Sequence, residues 1–211
     1  MGARRGQPPK ATAADWSRAA LSAIADSGVA GVNVERLSRV LGVTKGSFYG
    51  YFPDRDALIA SALELWEAEH EARMIAPLRA VADPVRRFEL MAASTLLRQR
   101  EPPLADSGPM AADVSAVELS LMNDRDREDV ADALARVVAA RVDFLTECLT
   151  QIGHAPSRAR QLAVSAYTLS LGAEVLRRNA PAIAAETDEA HVATILAPYL
   201  HPQASGPEPH R

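Results

Sequence analysis

The chain is short of the residues that build several common kinds of function. It has one cysteine, Cys148, among 211 residues, so no disulfide can close within it, and it has neither a CxxC pair nor an HExxH helix to hold a metal. No stretch approaches about twenty uninterrupted apolar residues, and the polar, basic start has no apolar signal region. Export and membrane insertion are therefore not expected, and the expected location is the cytoplasm. Aromatic residues make up 5% of the chain, and alternating Val, Ile, Thr and Tyr are scarce, which argues against sheets. There is no glycine-rich phosphate loop, no GxSxG turn and no Ser, His and Asp grouping that spacing alone identifies, so neither an enzyme nor a cofactor is expected.

What is present is helical. Almost half of the residues are apolar (48%), alanine and leucine foremost, enough for a sizeable core in one large domain or two small ones. The fold class that follows is all-α, with a small N-terminal helical domain at 12–53 and a larger helical domain at 54–200. The basic 1–11 stretch and the Pro/Gly-rich 201–211 stretch can bury little and read as disordered.

The N-terminal domain centres on GVNVERLSRVLGVTKGSFYGYFPDRDAL, residues 31–58. Asn33 is an N-cap; Val34, Leu37 and Leu41 follow at helical spacing, and Gly42 stands where the helix must turn left-handed to stop. Thr44 reads as a second N-cap, opening a short helix from Lys45 to about Gly50. Two helices joined by a short glycine-containing turn form a helix-turn-helix. Phe48 and Phe52, four apart, give the second helix its docking face. Lys45, Ser47, Tyr49 and Tyr51 are left to point outward, suited to phosphate and base-edge contacts, and Gly46 and Gly50 permit close approach of the backbone to a duplex. Before this motif, Thr12 and Asp15 have capping-box spacing, and Trp16, Ala19, Ala20, Ala23 and Ile24 form the apolar face of a supporting helix that Gly28 ends.

The whole-chain charge of -4 hides a division. Residues 1–56 hold eight Lys/Arg and five Asp/Glu, +3, and the remainder carries -7. The basic excess lies where the helix-turn-helix lies, with Arg4 and Arg5 in the arm and Arg55 just past the motif as further phosphate candidates.

Along the rest of the chain, Asp54 opens a long helix that should run until Pro77, and Asp83-Pro84 opens another to about 100. A loop follows at 101–109, then a helix through Val114, Val117 and Leu121, and a long one from about 125 to 152 that Gly153 stops. Ser157, after Pro156, is the expected cap of a helix to about 179, in which Leu162, Ala166, Leu169, Ala173 and Leu176 alternate in steps of four and three, the spacing of a helix-to-helix seam. Gly172 allows close approach, and a last helix from about 187 to 199 offers Val192 and Leu196. Glu67 and His70 form an ExxH pair of the kind found in di-iron bundles, but no second pair accompanies it, which favours a surface or pocket-lining role. Cys148 sits among Leu145, Leu149 and Ile152 and reads as a buried structural thiol.

From Trp16 to Leu58 the sequence resembles the TetR family of bacterial transcriptional repressors: the capped 34–41 helix, Gly42-Val43-Thr44, the Phe48-Tyr49 pair, Phe52 and Asp54-Arg55-Asp56-Ala57-Leu58 stand in the family's order. Asn33, Ser38 and Phe48 depart from its usual Thr, Ala and Leu. The resemblance implies a DNA-binding regulator that works as a homodimer on a near-palindromic operator, released by a small, mostly apolar effector. DNA contacts would fall on Thr44, Lys45, Gly46, Ser47, Tyr49, Tyr51, Arg55, Arg4 and Arg5. A four-helix dimer interface would use Leu162, Ala166, Leu169, Gly172, Ala173, Leu176, Val192 and Leu196. A pocket between about 58 and 152 would draw on Trp66, His70, Met74, Phe88, Met91, Thr95, Met122, Phe144 and Cys148. The competing expectation is an all-helical carrier or enzyme in which the helix-turn-helix is incidental.

Overall fold

The computed structural model describes residues 11–96 and 114–202. Arg4, Arg5, the arm, the 101–109 loop and most of the tail lie outside these residues. In chain order the α-helices are α1 (Ala13–Ser27), α2 (Val34–Val40), α3 (Lys45–Phe48), α4 (Arg55–His70), α5 (Ala76–Arg79), α6 (Pro84–Leu96), α7 (Val114–Leu121), α8 (Glu128–Ile152), α9 (Pro156–Asn179), α10 (Pro181–Ala184) and α11 (Glu189–Leu200). No strand occurs among the described residues. The chain divides into two compact units, one comprising residues up to Glu69 together with Asp106–Ala135, the other His70–Ala105 together with Arg136 onward. Within the first unit α7 packs along α1.

Unit one is built from caps and a small aromatic core. Thr12 and Asp15 close the capping box of α1, and Trp16, Ala20 and Ile24 are fully buried along it. Gly28 ends the helix at φ 69°, and a Cβ there would stand 2.6 Å from Asp124 Oδ2, so glycine is required by conformation and by space. That Asp124 carboxylate accepts from the Val29 amide at 2.7 Å. Arg55 holds the same stretch from the other side, donating through Nε to the Val32 carbonyl at 2.7 Å and through Nη2 to that of Val29. The entrance to α2 is therefore clamped by an acid after α7 and a base at the start of α4. Asn33 then caps α2 by accepting from the Arg36 amide at 2.9 Å, and Ser38, buried in that helix, satisfies its hydroxyl on the Val34 carbonyl at 2.7 Å. Asp54 caps α4 through the Ala57 amide at 2.8 Å.

Unit two begins where α4 gives way to a π-helical turn, Glu71–Ile75. Pro77 explains it: a proline has no amide to continue the α ladder, and its ring would press on the carbonyl four residues back, Arg73. Widening the turn relieves the clash, and the Ala76 amide bonds to Glu71, five residues back. The helix expected to run unbroken to Pro77 therefore changes register one turn earlier. Around this start a single core gathers Ile75, Phe88, Met91, Phe144, Leu149, Leu162, Val192 and Tyr199 from α6, α8, α9 and α11, with Phe88 and Tyr199 stacked at 5.5 Å between centroids. Cys148 is fully buried there, and burial pushes its thiol up to about 11, which leaves it protonated and unreactive at neutral pH. Ala155, not Ser157, stands at the N-cap of α9, with Pro156 in the first turn and no side-chain cap. Asp188 caps α11 through the His191 amide at 2.8 Å, and the short α10 had no sequence expectation. No helix among the described residues is long and apolar enough to cross a membrane.

Candidate nucleic-acid interface

The helix-turn-helix is held from inside by Phe48. This ring is 1% exposed, meets Trp16 of α1 edge-on at 5.3 Å and stacks on Phe52 at 5.8 Å. Its burial fixes which way the rest of α3 faces, since the residues flanking it must then point outward. Thr44, Lys45, Gly46, Gly50 and Tyr51 are exposed, and Tyr49 is 60% exposed beside the buried ring, edge-on to it at 5.1 Å. Every large hydrophobic side chain of unit one that the described residues leave exposed, Val40, Tyr49 and Tyr51, lies on this motif. Such side chains would be out of place on a merely solvated turn.

Several details differ from the sequence reading. The second helix ends at Phe48 rather than near Gly50. Thr44 makes no side-chain cap; instead Ser47 Oγ donates to the Thr44 carbonyl at 2.9 Å, which leaves the Ser47 oxygen able to accept. Arg55, expected on phosphate, is committed to the carbonyls of Val29 and Val32 and positions α2. Lys45 donates to Glu35 Oε1 of α2 at 2.9 Å; the pair raises the lysine and lowers the carboxyl from their ordinary values, so both are charged at neutral pH. The sequence reading missed Glu35, although an acid two residues after a cap is visible in it. What it lacked was the fold that brings positions ten apart together.

Gly46 is informative because the protein does not need it. A Cβ at this position would meet only Thr44 Oγ1, at 3.8 Å, and alanine is the better helix former by about 1 kcal/mol. Among the described residues, neither the space around this position nor helix propensity calls for glycine. We expect Gly46→Ala to leave the thermal midpoint unchanged or slightly raised while weakening DNA binding by about tenfold or more, read by melting and gel shift on the same sample.

The other expected residues fall into two groups. In unit two the large exposed hydrophobics are Val164, Leu169, Val175, Leu176 and Ile183, all on α9 or α10. Of the expected dimer residues, Leu169, Gly172 and Leu176 are exposed and Ala173 is half-buried, whereas Leu162, Ala166, Val192 and Leu196 are buried in this chain's own core. The seam spacing therefore serves two faces of α9 at once. The nine expected pocket residues are divided between the two units. Trp66 and Met122 belong to unit one; Phe88, Phe144 and Cys148 are core and Met74 packs on that core; the side chain of Thr95 lies outside the described residues. A cavity in unit two, about 10 Å³ in volume, has only Met91 of the nine on its wall, with Ala92, Leu96, Arg141, Leu145, Ala166, Leu169, Ser170, Leu196 and Tyr199. His70 is buried in unit two, accepting from Arg141 Nε at 3.2 Å, and Glu67 is half-buried in unit one.

Residues 18–62 match the model of the bacterial regulatory proteins of the tetR family. No curated protein matches significantly. Solved structures match along most of the chain. A putative TetR-family transcriptional regulator from Rhodococcus sp. is 20% identical, with 90% of this chain and 98% of that one covered and a TM-score of 0.64. A putative transcriptional regulator from Saccharomonospora viridis in complex with choline is 16% identical over 89% and 92%, with a TM-score of 0.66. AibR in complex with isovaleryl coenzyme A and operator DNA is 18% identical over 78% and 84%, with a TM-score of 0.54.

Proposed function

The chain carries the helix-turn-helix of the TetR family at the head of an all-helical fold shared with solved regulators, and from this we infer that it is a transcriptional regulator, a homodimeric repressor whose operator affinity a small molecule lowers. The observation that carries the reading is the exposed face of the helix-turn-helix, where Lys45, Gly46, Tyr49 and Tyr51 surround a buried Phe48. Lys45 and Tyr49 contact phosphate, and Thr44 and Ser47 meet base edges, with Gly46 letting the backbone come close. Arg4 and Arg5, before the helix-turn-helix in the sequence, follow the DNA backbone. AibR is one fold relative that has been seen on operator DNA.

One helix-turn-helix reads too few base pairs for useful specificity, and twofold symmetry doubles the site. The apolar stripe of Leu169, Leu176 and Val175 on a helix of 24 residues supports a partner α9 packing across a twofold axis. Leu169→Glu with Leu176→Glu should yield a monomer by sedimentation and a loss of operator affinity of about 100-fold or more; an unchanged dimer would place the interface elsewhere.

Glu35 sets the threshold for DNA. Its carboxylate engages Lys45 in the free protein and would lie near the phosphates in the complex, so binding must break an ion pair or approach an acid. Exposed pairs are weak and screened, and Glu35→Gln should therefore tighten binding only by up to about fivefold per protomer, equally on specific and random DNA. The direct test of the function is a gel shift on the DNA flanking the chain's own gene. A preference of about a thousandfold over random duplex at physiological salt is expected, and equal affinity for both would reject a sequence-specific regulator.

A further inference from the structure

A buried backbone amide needs an acceptor, and where its own turn supplies none a side chain must. Val29 stands at such a place. It opens the short helical turn Val29–Gly31 between α1 and α2 and is 3% exposed, and its N–H donates to Asp124 Oδ2 at 2.7 Å. Asp124 lies 95 positions further along the chain, outside the 18–62 stretch that matches the tetR model but within the same compact unit. Its carboxylate is packed as well as bonded, since a Cβ on Gly28 would stand 2.6 Å from that oxygen. The segment that carries it is itself held. The Arg127 amide donates to the Asp124 carbonyl at 3.0 Å, and the Arg127 guanidinium bonds both oxygens of Asp129 and reaches Asp56, in the first turn of α4, at 3.2 Å.

The turn that Asp124 holds leads straight into the helix-turn-helix. Val32 closes it by donating to the Val29 carbonyl at 3.1 Å, and Asn33 caps α2 in the next position. α2 in turn carries α3, because the Val43 amide, after the left-handed Gly42, donates back to the Ser38 carbonyl at 3.0 Å and Lys45 pairs with Glu35. A shift of the turn is therefore a shift of both helices. Without the Asp124 bond the unit keeps its aromatic core of Trp16, Phe48 and Phe52 and the two Arg55 bonds to the carbonyls of Val29 and Val32, so it stays folded while the entrance to α2 is held from one side only. That affects the two parts of DNA binding unequally. Attraction to phosphate follows charge and tolerates looseness, whereas base-edge contacts need their donors and acceptors held in register.

We propose that Asp124 is a positioning residue for DNA recognition: by holding the Val29 amide it fixes the entry of α2, and through α2 the exposed face of α3, so that discrimination between sequences depends on it and general affinity for DNA does not. This role rests on the regulator function inferred above.

Two substitutions at this position change the charge identically and the hydrogen bond differently. Asp124→Asn keeps an acceptor oxygen for Val29, and Asp124→Ala leaves the amide with none. Gel shifts compare the operator from the DNA flanking the chain's own gene with a random duplex of equal length, using full-length protein well below the lowest melting midpoint. The alanine variant's preference for operator should fall by at least about tenfold, and the asparagine variant's should stay within about twofold of the wild type. Both variants should hold the random duplex equally, since their charges match. Hydrogen exchange over 29–33 should be faster in the alanine variant alone. A merely structural role would lower the melting midpoint and leave the preference of the folded protein unchanged. Should the alanine variant not fold, Asp124→Glu, which keeps the charge but lengthens the side chain against Gly28, should lower the preference by at least about threefold. Undiminished preference in the alanine or glutamate variant, or an asparagine variant that loses as much as alanine, would overturn the role and leave the regulator intact. A wild type that prefers neither duplex overturns the regulator, and this role with it.

Discussion

Operator affinity is expected to fall by about 100-fold or more when Lys45 and Tyr49 are both replaced by alanine, with no change in thermal midpoint. Hydrogen bonds to charged groups contribute about 1.5 to 3 kcal/mol each when their partner is left without one, and a dimer loses each contact twice. Both residues make only surface contacts within the fold: Tyr49 is 60% exposed against the edge of Phe48, and the lysine's partner, Glu35, is a surface carboxylate. The two residues separate by salt. Removing Lys45 from both protomers releases about two fewer counterions, so the slope of log affinity against log salt should become shallower by about 2, whereas Tyr49→Ala alone lowers affinity without altering the slope. A double variant that still binds operator normally at physiological salt would mean that this face does not meet DNA.

The second large effect is structural. Phe48→Ala removes a ring that is 1% exposed and packed between Trp16 and Phe52, and a buried phenylalanine truncated to alanine costs about 3 to 5 kcal/mol. That is a large fraction of the roughly 5 to 15 kcal/mol by which a domain is stable. Urea denaturation should show an early transition with loss of helical signal, and DNA binding should vanish through unfolding rather than through a lost contact. The pair of experiments therefore distinguishes what reads DNA from what holds the reader. An unchanged urea midpoint in Phe48→Ala would mean that the α1 to α3 packing is not what orients the exposed face.

Local chemistry was legible in the sequence where a single residue dictates it. The Thr12–Asp15 box, the Asn33 and Asp54 caps, the left-handed Gly42 at φ 67° and the buried Phe48 and Phe52 all follow from propensity and spacing over four residues or fewer. Even the departures from the family pattern resolve locally: Ser38 turns its hydroxyl back onto Val34, and Asn33 caps as threonine would. What the sequence hid are pairings fixed by tertiary contact. Nothing in its spacing joins Asp124 to Val29, 95 positions apart, or Arg141 to His70, 71 apart. For the same reason Arg55 reads as a surface cation and proves to be a clamp, and the expected pocket residues scatter between core and cavity, because a side chain's periodicity tells which face it shares and not which other helix meets that face. The π-turn before Pro77 was likewise visible only as an interruption, since a proline declares that a helix must adjust without saying how.

The central claim is that a dimer of this chain reads a twofold sequence with the exposed face of α3. Its most direct test is selection of bound duplexes from a random-sequence pool by the full-length protein at physiological salt, followed by sequencing. The enriched sites should converge on a near-palindrome whose half-sites are about one helical turn apart or a multiple of it, and the selected sequence should bind about a thousandfold tighter than the starting pool. A pool that shows no enrichment after repeated rounds, or enrichment of a site without twofold symmetry, would contradict the account.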